Sequence, residues 1–340
     1  MSVNALTLQK IIQSGYTSPF LEARVQYAEA ATLLNQHLRK LEGLGRVHPT
    51  MVPAQASGRV GISDPPLGNF TADKRYGPKG LRDVVRPDLG SMWLCPDYNA
   101  IEMEIVCHRG QAPNNEEIRK LGLDRHTVNA IRTFRYPDPE ENPTKEWLRS
   151  DPGQNWRERV GFSDNLRLLI KNCQYTLQYA HGDLNGRYAE RALGVYAAKM
   201  GLKTTYLYEV GAQFLQANPW LVAFKRHRWS EAWRNQEART SFGRRRRLIG
   251  PRINVETDGL NHEIQGTVAD IMKQTMVAIE NALPECYMVL QRHDGWYTSV
   301  PETFTQYDEY FAIVEREWMI DGRPIAFKTE WEVWKNGPET

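Results

Sequence analysis

The chain has 340 residues, 41% of them hydrophobic and 25% charged, with a net charge of +2. These values suit a globular chain of one large domain or two to three small ones, and they exclude a collagen, a low-complexity polymer and a disordered chain. No apolar run approaches the ~20 residues of a membrane helix. The start, MSVNALTLQK, lacks a signal peptide's apolar stretch. Cys95, Cys107, Cys173 and Cys286 lie far apart with no CxxC, so neither a zinc ribbon nor a disulfide framework is expected. No membrane association is expected, and a reducing, cytoplasmic setting is.

Leu6 to Leu44 reads as helical, because Leu21, Ala28, Leu33, Leu34, Leu38 and Leu41 keep approximate helical spacing and Gly43 and Gly45 stop it. Residues 46–90 are rich in Pro and Gly, with turn signals at Ser63-Asp64-Pro65-Pro66 and Gly77-Pro78. Ser91 to Cys95 is a short apolar strand ending at Pro96-Asp97, after which Ala100, Ile101, Ile105 and His108 mark a helix. Residues 136–156, polar with four prolines, read as a surface loop. Phe162 to Ala180 is a long helix with Ser163 as its cap, and Asn261 to Leu283 is another. Tyr287 to Gln291 and Trp296 to Val300 are strands flanking His293-Asp294-Gly295, a hairpin with a tight turn. Ile325 to Trp334 is a final strand, and there is no internal repeat. The order gives an antiparallel sheet with helices grouped apart from it, an α+β chain without alternating βαβ units.

Charge is unevenly spread. Pro219 to Arg252 holds ten Lys or Arg against Glu231 and Glu237, whereas Pro301 to Thr340 holds nine acids against four bases. Such asymmetry suggests a polyanion meeting one face, with a solvated basic helix as the plainer alternative.

Two acids stand where chemistry can use them. Asp97 follows a buried strand and Asp294 sits in a hairpin turn, so both can project oxygens from one sheet edge. Two carboxylates at one point suit Mg²⁺, and two ions ~3.5–4 Å apart can clamp the oxygens of a phosphoryl transfer. Taken singly, Asp-Gly in a hairpin is an ordinary turn and Asp after Pro an ordinary helix cap. On the helix from Phe162, Arg167, Lys171, Tyr175 and Tyr179 recur every four residues and form one slowly winding stripe. Two cations followed by two rings have the form of a nucleotide reader. A basic half-face followed by core aromatics has the same pattern.

These residues resemble the motifs of the family A DNA polymerases, the DNA polymerase I family. Asp97-Tyr98-Asn99-Ala100-Ile101-Glu102 resembles the first family motif, the Arg167–Tyr179 stripe the fingers helix, and His293-Asp294 the third motif. Ser57-Gly58-Arg59, Ser63-Asp64-Pro65 and Asn69 are similar to the family's T-G-R-L-S-S-x-x-P-N-L-Q-N segment, Asp124-Arg125-His126 to its D-I-H, and Asn261, Gln265-Gly266-Thr267 and Ala269-Asp270-Ile271 to N-x-x-x-Q-G-T-A-A-D-I. The similarity runs over roughly residues 20 to 340 in the family's own order. It implies a right-hand polymerase fold with an antiparallel palm sheet, helical fingers and a reduced thumb. The implied divisions are a thumb remnant at 1–50, palm at 51–115, fingers at 116–250 and palm again at 251–340.

The resemblance also implies roles. Asp97 and Asp294, with the Tyr98 carbonyl, would hold two Mg²⁺ ions, for which Mn²⁺ can substitute. Arg167, Lys171 and His126 would meet the triphosphate of an incoming dNTP. Tyr175 would pack on its sugar, Tyr179 near the template base, and Glu102 beneath the sugar as a steric gate. Arg59, Asn261, Gln265 and His293 would touch primer–template DNA, and the basic Arg244, Arg245, Arg246 and Arg247 its backbone.

Some positions depart from the family pattern. Gly295 stands for its Glu, Arg292 for an apolar residue, Thr257 for an Arg, and Thr176 and Ala180 for glycines. About 58 residues precede Arg59, room for the base of a thumb and no exonuclease. The expectation is a minimal DNA-templated DNA polymerase or one piece of a split enzyme, with a separate thumb, exonuclease or processivity subunit as partner. A compact viral genome is a natural source, which would put it in the host cytoplasm. The alternative is a catalytically weak DNA-binding subunit of a split polymerase.

Overall fold

A computed structural model describes residues 16, 18–52, 55–70, 84–181, 202–292 and 294–335. His293, the Gly77-Pro78 turn and the first part of the N-terminal helix reading lie outside the described residues. The chain divides into two compact units. One comprises Met1–Glu102, Arg239–Arg244 and His262–Thr340; the other comprises Met103–Ala238 and Arg245–Asn261. The contact boundaries fall at 102/103, 238/239, 244/245 and 261/262.

The first unit is built on an antiparallel sheet of β3 (Ser91–Tyr98), β6 (Tyr287–Arg292), β7 (Gly295–Pro301) and β10 (Thr329–Lys335), in the order β10-β3-β7-β6. Preceding it are α1 (Pro19–Gln36), begun by a Ser18 cap, and the short pair β1 (Thr50–Val52) and β2 (Gly61–Ser63). The strand foreseen as Ser91–Cys95 runs on through Pro96 and Asp97 to Tyr98. Proline survives in a central strand because the ladder to β7 pairs Leu94 with Thr298 and next Asp97 with Gly295, leaving Pro96 in the gap where no donor is needed. Trp93, Tyr297 and Trp334 pack against one another, with ring centroids 5.2 to 6.1 Å apart, in a cluster with Leu67, Phe70 and Leu290.

The foreseen hairpin is present: β6 and β7 pair up to Arg292 opposite Gly295. The foreseen final strand is two strands. β9 (Arg323–Ala326) pairs with β8 (Glu317–Ile320), and β10 pairs with β3. Apolar residues run through the junction because Phe327 is itself buried, so the pattern alone does not reveal the break.

The second unit is helical: α2 (Ile101–Arg109, entering from the first unit), α3 (Asn115–Lys120), α4 (Arg125–Phe134), α5 (Lys145–Arg149), α6 (Asp151–Val160), α7 (Asp164–Tyr179), α8 (Thr204–Ala217) and α9 (Pro219–Asn235). The expected loop over 136–156 therefore holds α5 and most of α6. Thr144 and Ser150 cap them, and Pro152 sits in the first turn of α6, where its missing N–H costs nothing. The α7 reading holds: Ser163 Oγ accepts from Leu166 N at 3.3 Å. At its other end the buried Lys225 ammonium donates to the carbonyls of Leu177 and Ala180, two groups the helix leaves unsatisfied. The short strands β4 (Glu237–Arg239) and β5 (Arg245–Arg247) lead into α10 (Arg252–Ala282), which begins nine residues before the expected start at Asn261. Its first turns are polar, so apolar periodicity misses them. The last helix, α11 (Tyr307–Val314), lies in the first unit.

Candidate active site

Asp97 is the single exposed position of β3, whose other residues are buried or nearly so. Asp294 occupies the loop between β6 and β7. The Tyr98 amide donates to the Asp294 carbonyl at 3.1 Å, which fixes the loop against the strand that carries Asp97. Gly295 makes this approach possible: a Cβ there would lie 2.6 Å from the Pro96 carbonyl and 3.2 Å from Asp97 Cα. A side chain in place of Gly295 would force the two strands to shift.

Glu102, in the first turn of α2, is 7% exposed. The Arg59 guanidinium donates both to Glu102 and, at 3.2 Å, to Asp294. Burial and the Glu102 charge push the Asp294 carboxyl up to about 7 against the opposing pull of Arg59, and Asp97 adds to the rise. Glu102 and Asp294 thus both meet the Arg59 guanidinium, with the Asp97 charge felt at Asp294. Among the described residues no group of three or more His, Cys, Asp or Glu is gathered tightly enough to hold a metal by itself. Asp97 and Asp294 are oxygen donors of the type that Mg²⁺ takes.

In the second unit, Arg167, Lys171, Tyr175 and Tyr179 are all partly exposed, while Leu169, Ile170, Cys173 and Leu177 are buried. The stripe is therefore an accessible face, and its rings are not core. Sequence reasoning missed its main support. Asp124, 3% exposed, takes Arg167 in a bidentate pair at 2.6 and 2.8 Å while also capping α4 through Thr127. Burial would raise the Asp124 carboxyl, but the hydrogen bonds and charge of Arg167, with Thr127, hold it at about 2. The aspartate stood out in the sequence only as part of the segment resembling D-I-H, and nothing there marked it as the partner of a residue 43 positions away.

His126 is buried, with Nδ1 3.0 Å from Gln174 Oε1 and its ring 6.0 Å from that of Tyr175. Burial lowers it to about 4 despite Asp124 and Gln174, with Arg167 and Lys171 adding to the fall. At neutral pH it is an uncharged ring that can hydrogen-bond a phosphate but not attract it as a cation. Asn261 and Gln265 are four residues apart on α10, both partly exposed, on one face.

The four arginines of the run differ in their surroundings. Arg244 is held by Asp270, Arg246 by Asp258 at 2.8 Å, and Arg245 lies 3.7 Å from Glu237. Arg245 and Arg247 are exposed. Three of the four arginines thus have an acidic partner, and Arg245 and Arg247 are the more exposed members of the run.

The model of DNA polymerase family A matches residues 163–329, from the cap of α7 to the start of β10. Over this segment the chain has the sequence of a DNA polymerase family A core. It is 25% identical over 334 residues to the thermostable DNA polymerase I of Thermus thermophilus, covering 93% of this chain and 35% of that protein. It is 26% identical over 276 residues to DNA polymerase I of Pseudomonas aeruginosa, covering 77% of this chain and 26% of the relative. The chain thus spans about a third of the length of curated relatives it matches. The POL domain of Pol1 from M. smegmatis, solved in complex with DNA primer-template and dNTP, superposes with a TM-score of 0.73 at 23% identity, over 98% of this chain and 55% of that one. The fold is the α+β fold of a polymerase domain. Asp97 lies outside the matched 163–329 segment, so its place rests on the β3–β7 geometry.

Proposed function

We propose that this chain is a DNA-templated DNA polymerase that extends a primer 3′ end with dNTPs. The observation that carries the reading is the gathering of Asp97, Asp294 and Glu102 beside Arg59, in a chain whose fingers stripe stays accessible. Asp97, Asp294 and the Tyr98 carbonyl would hold two Mg²⁺ ions, which would supply positive charge to the attacking and leaving oxygens. Arg167 and Lys171 bind the triphosphate, and the Asp124 pair presets the Arg167 fork before substrate arrives. His126 adds a neutral hydrogen bond, Tyr175 packs on the sugar, and Glu102 fills the space a 2′-hydroxyl would need. Arg59, Asn261 and Gln265 orient the primer terminus, leaving positioning and charge stabilisation as the protein's main contributions.

Primer extension on a labelled hairpin with dNTPs and Mg²⁺ tests the reading. Template-directed addition that requires the metal is expected. Tight DNA binding with no addition, for which Gly295 in place of the family Glu gives a reason, would instead favour a DNA-binding subunit of a split polymerase.

A further inference from the structure

Arg244 is the member of the arginine run with the most fixed surroundings. Its Nε donates to Asp270 at 2.8 Å, and its Nη2 donates to the carbonyls of Ser57 and Gly266, each at 3.0 Å. Its own amide donates to Thr240 Oγ1 at 3.1 Å, and its carbonyl meets His262 Nε2 at 3.1 Å. Two glycines leave space for the guanidinium. A Cβ on Gly58 would lie 2.2 Å from it, at a backbone φ of +86°, and one on Gly266 would lie 2.9 Å from it. The residue after Gly58 is Arg59, which reaches Glu102 and Asp294.

We propose that Arg244 is a positioning residue: its planar fork ties the Ser57–Arg59 segment to α10, and through that tie holds Arg59 on Glu102 and Asp294. The inference rests on the polymerase reading above. An arginine with three protein acceptors at about 3 Å or less is committed to the fold and has little left for a phosphate. Lysine cannot replace it, because one ammonium does not match acceptors arranged for a flat fork. A backbone phosphate contact would tolerate lysine, since a point charge suffices there.

The test compares wild type with Arg244→Lys, Asp270→Asn and the double variant Arg245→Gln/Arg247→Gln. For each, the single-turnover extension rate is measured at saturating DNA and dNTP, with DNA affinity against salt and thermal stability alongside. Arg244→Lys should extend roughly tenfold or more slowly, because a small misplacement of a positioning group costs rate, and it should keep the wild-type salt slope. Asp270→Asn should slow extension in the same sense at conserved side-chain size, so the proposal remains open to test if Arg244→Lys fails to fold. The double variant should instead flatten the slope. A full rate in Arg244→Lys or Asp270→Asn, or a slope reduced by Arg244→Lys, overturns the positioning role while the polymerase reading stands. A wild-type chain that binds DNA but never extends it overturns the polymerase reading, and the positioning role with it.

Discussion

At the scale of residues, the proposed chemistry rests on the carboxylates. Asp97→Ala and Asp294→Ala should each remove nearly all extension while leaving DNA affinity close to wild type, because affinity rests on Lys and Arg contacts to phosphates. Near wild-type extension by either variant would refute the metal assignment. The raised Asp294 pKa of about 7 gives a pH signature with a definite sign. The metal-free native state keeps a proton that the unfolded chain releases above about pH 4, so stability should fall as pH rises from about 4 to 7 and level off above. Metal binding expels that proton, so apparent Mg²⁺ affinity should weaken towards a tenfold loss per pH unit below 7. Calorimetric titration at pH 6 in buffers of different ionisation heat would count about one proton released; buffer-independent heats would contradict the coupling. Glu102→Ala should raise ribonucleotide incorporation by opening the space beneath the sugar. Unchanged selectivity in a ribonucleotide competition assay would return Glu102 to a structural partner of Arg59.

Among the elements, α7 depends on a pair that only the fold assembles. Arg167→Ala leaves the Asp124 carboxylate buried without its cation, a loss of about 3 kcal/mol by the usual cost of an orphaned buried charge. Asp124→Asn in the same background should restore most of that stability without restoring dNTP affinity. Denaturant unfolding and dNTP titration on the two variants separate the parts, and a stable Arg167→Ala chain would show the pair to be dispensable. The helices should also differ in persistence. No described side chain of α1 is buried, whereas α10 buries Leu260, Ile264, Ala269, Ile271, Met272 and Ile279 at 0% exposure. Amides of α1 should exchange fastest among the helices and those of α10 slowest, which hydrogen exchange measures directly. The elements were unevenly legible in the sequence. The hairpin around Asp294 and the Ser163 cap were readable because turn and cap chemistry is local. The helices in 144–160 were hidden by a proline that sits harmlessly in a first turn, and the split at 327 was hidden by a buried Phe at the junction.

Over the whole molecule, a net charge of +2 conceals two opposite fields, and DNA affinity should follow the basic one. Arg245→Gln/Arg247→Gln should reduce the slope of log affinity against log salt by up to ~0.9 for each phosphate left without its arginine, whatever the DNA sequence. An unchanged slope would make these arginines plain surface.

The sequence by itself determined which residues are candidates to carry the chemistry. Motif identity, turn preference and helical spacing are local properties, so Asp97, Asp294, Glu102 and the Arg167–Tyr179 stripe could be named from it. Tertiary structure decided what those residues are joined to. The Asp124–Arg167 pair spans 43 positions, the Arg59–Asp294 contact 235 and the Arg244–Ser57 contact 187. Partners at such separations leave no periodic trace, because chain folding and not spacing brings them together. For the same reason Arg244 and Arg247, three residues apart in one basic run, have different surroundings: one is held against backbone carbonyls and the other is exposed to water.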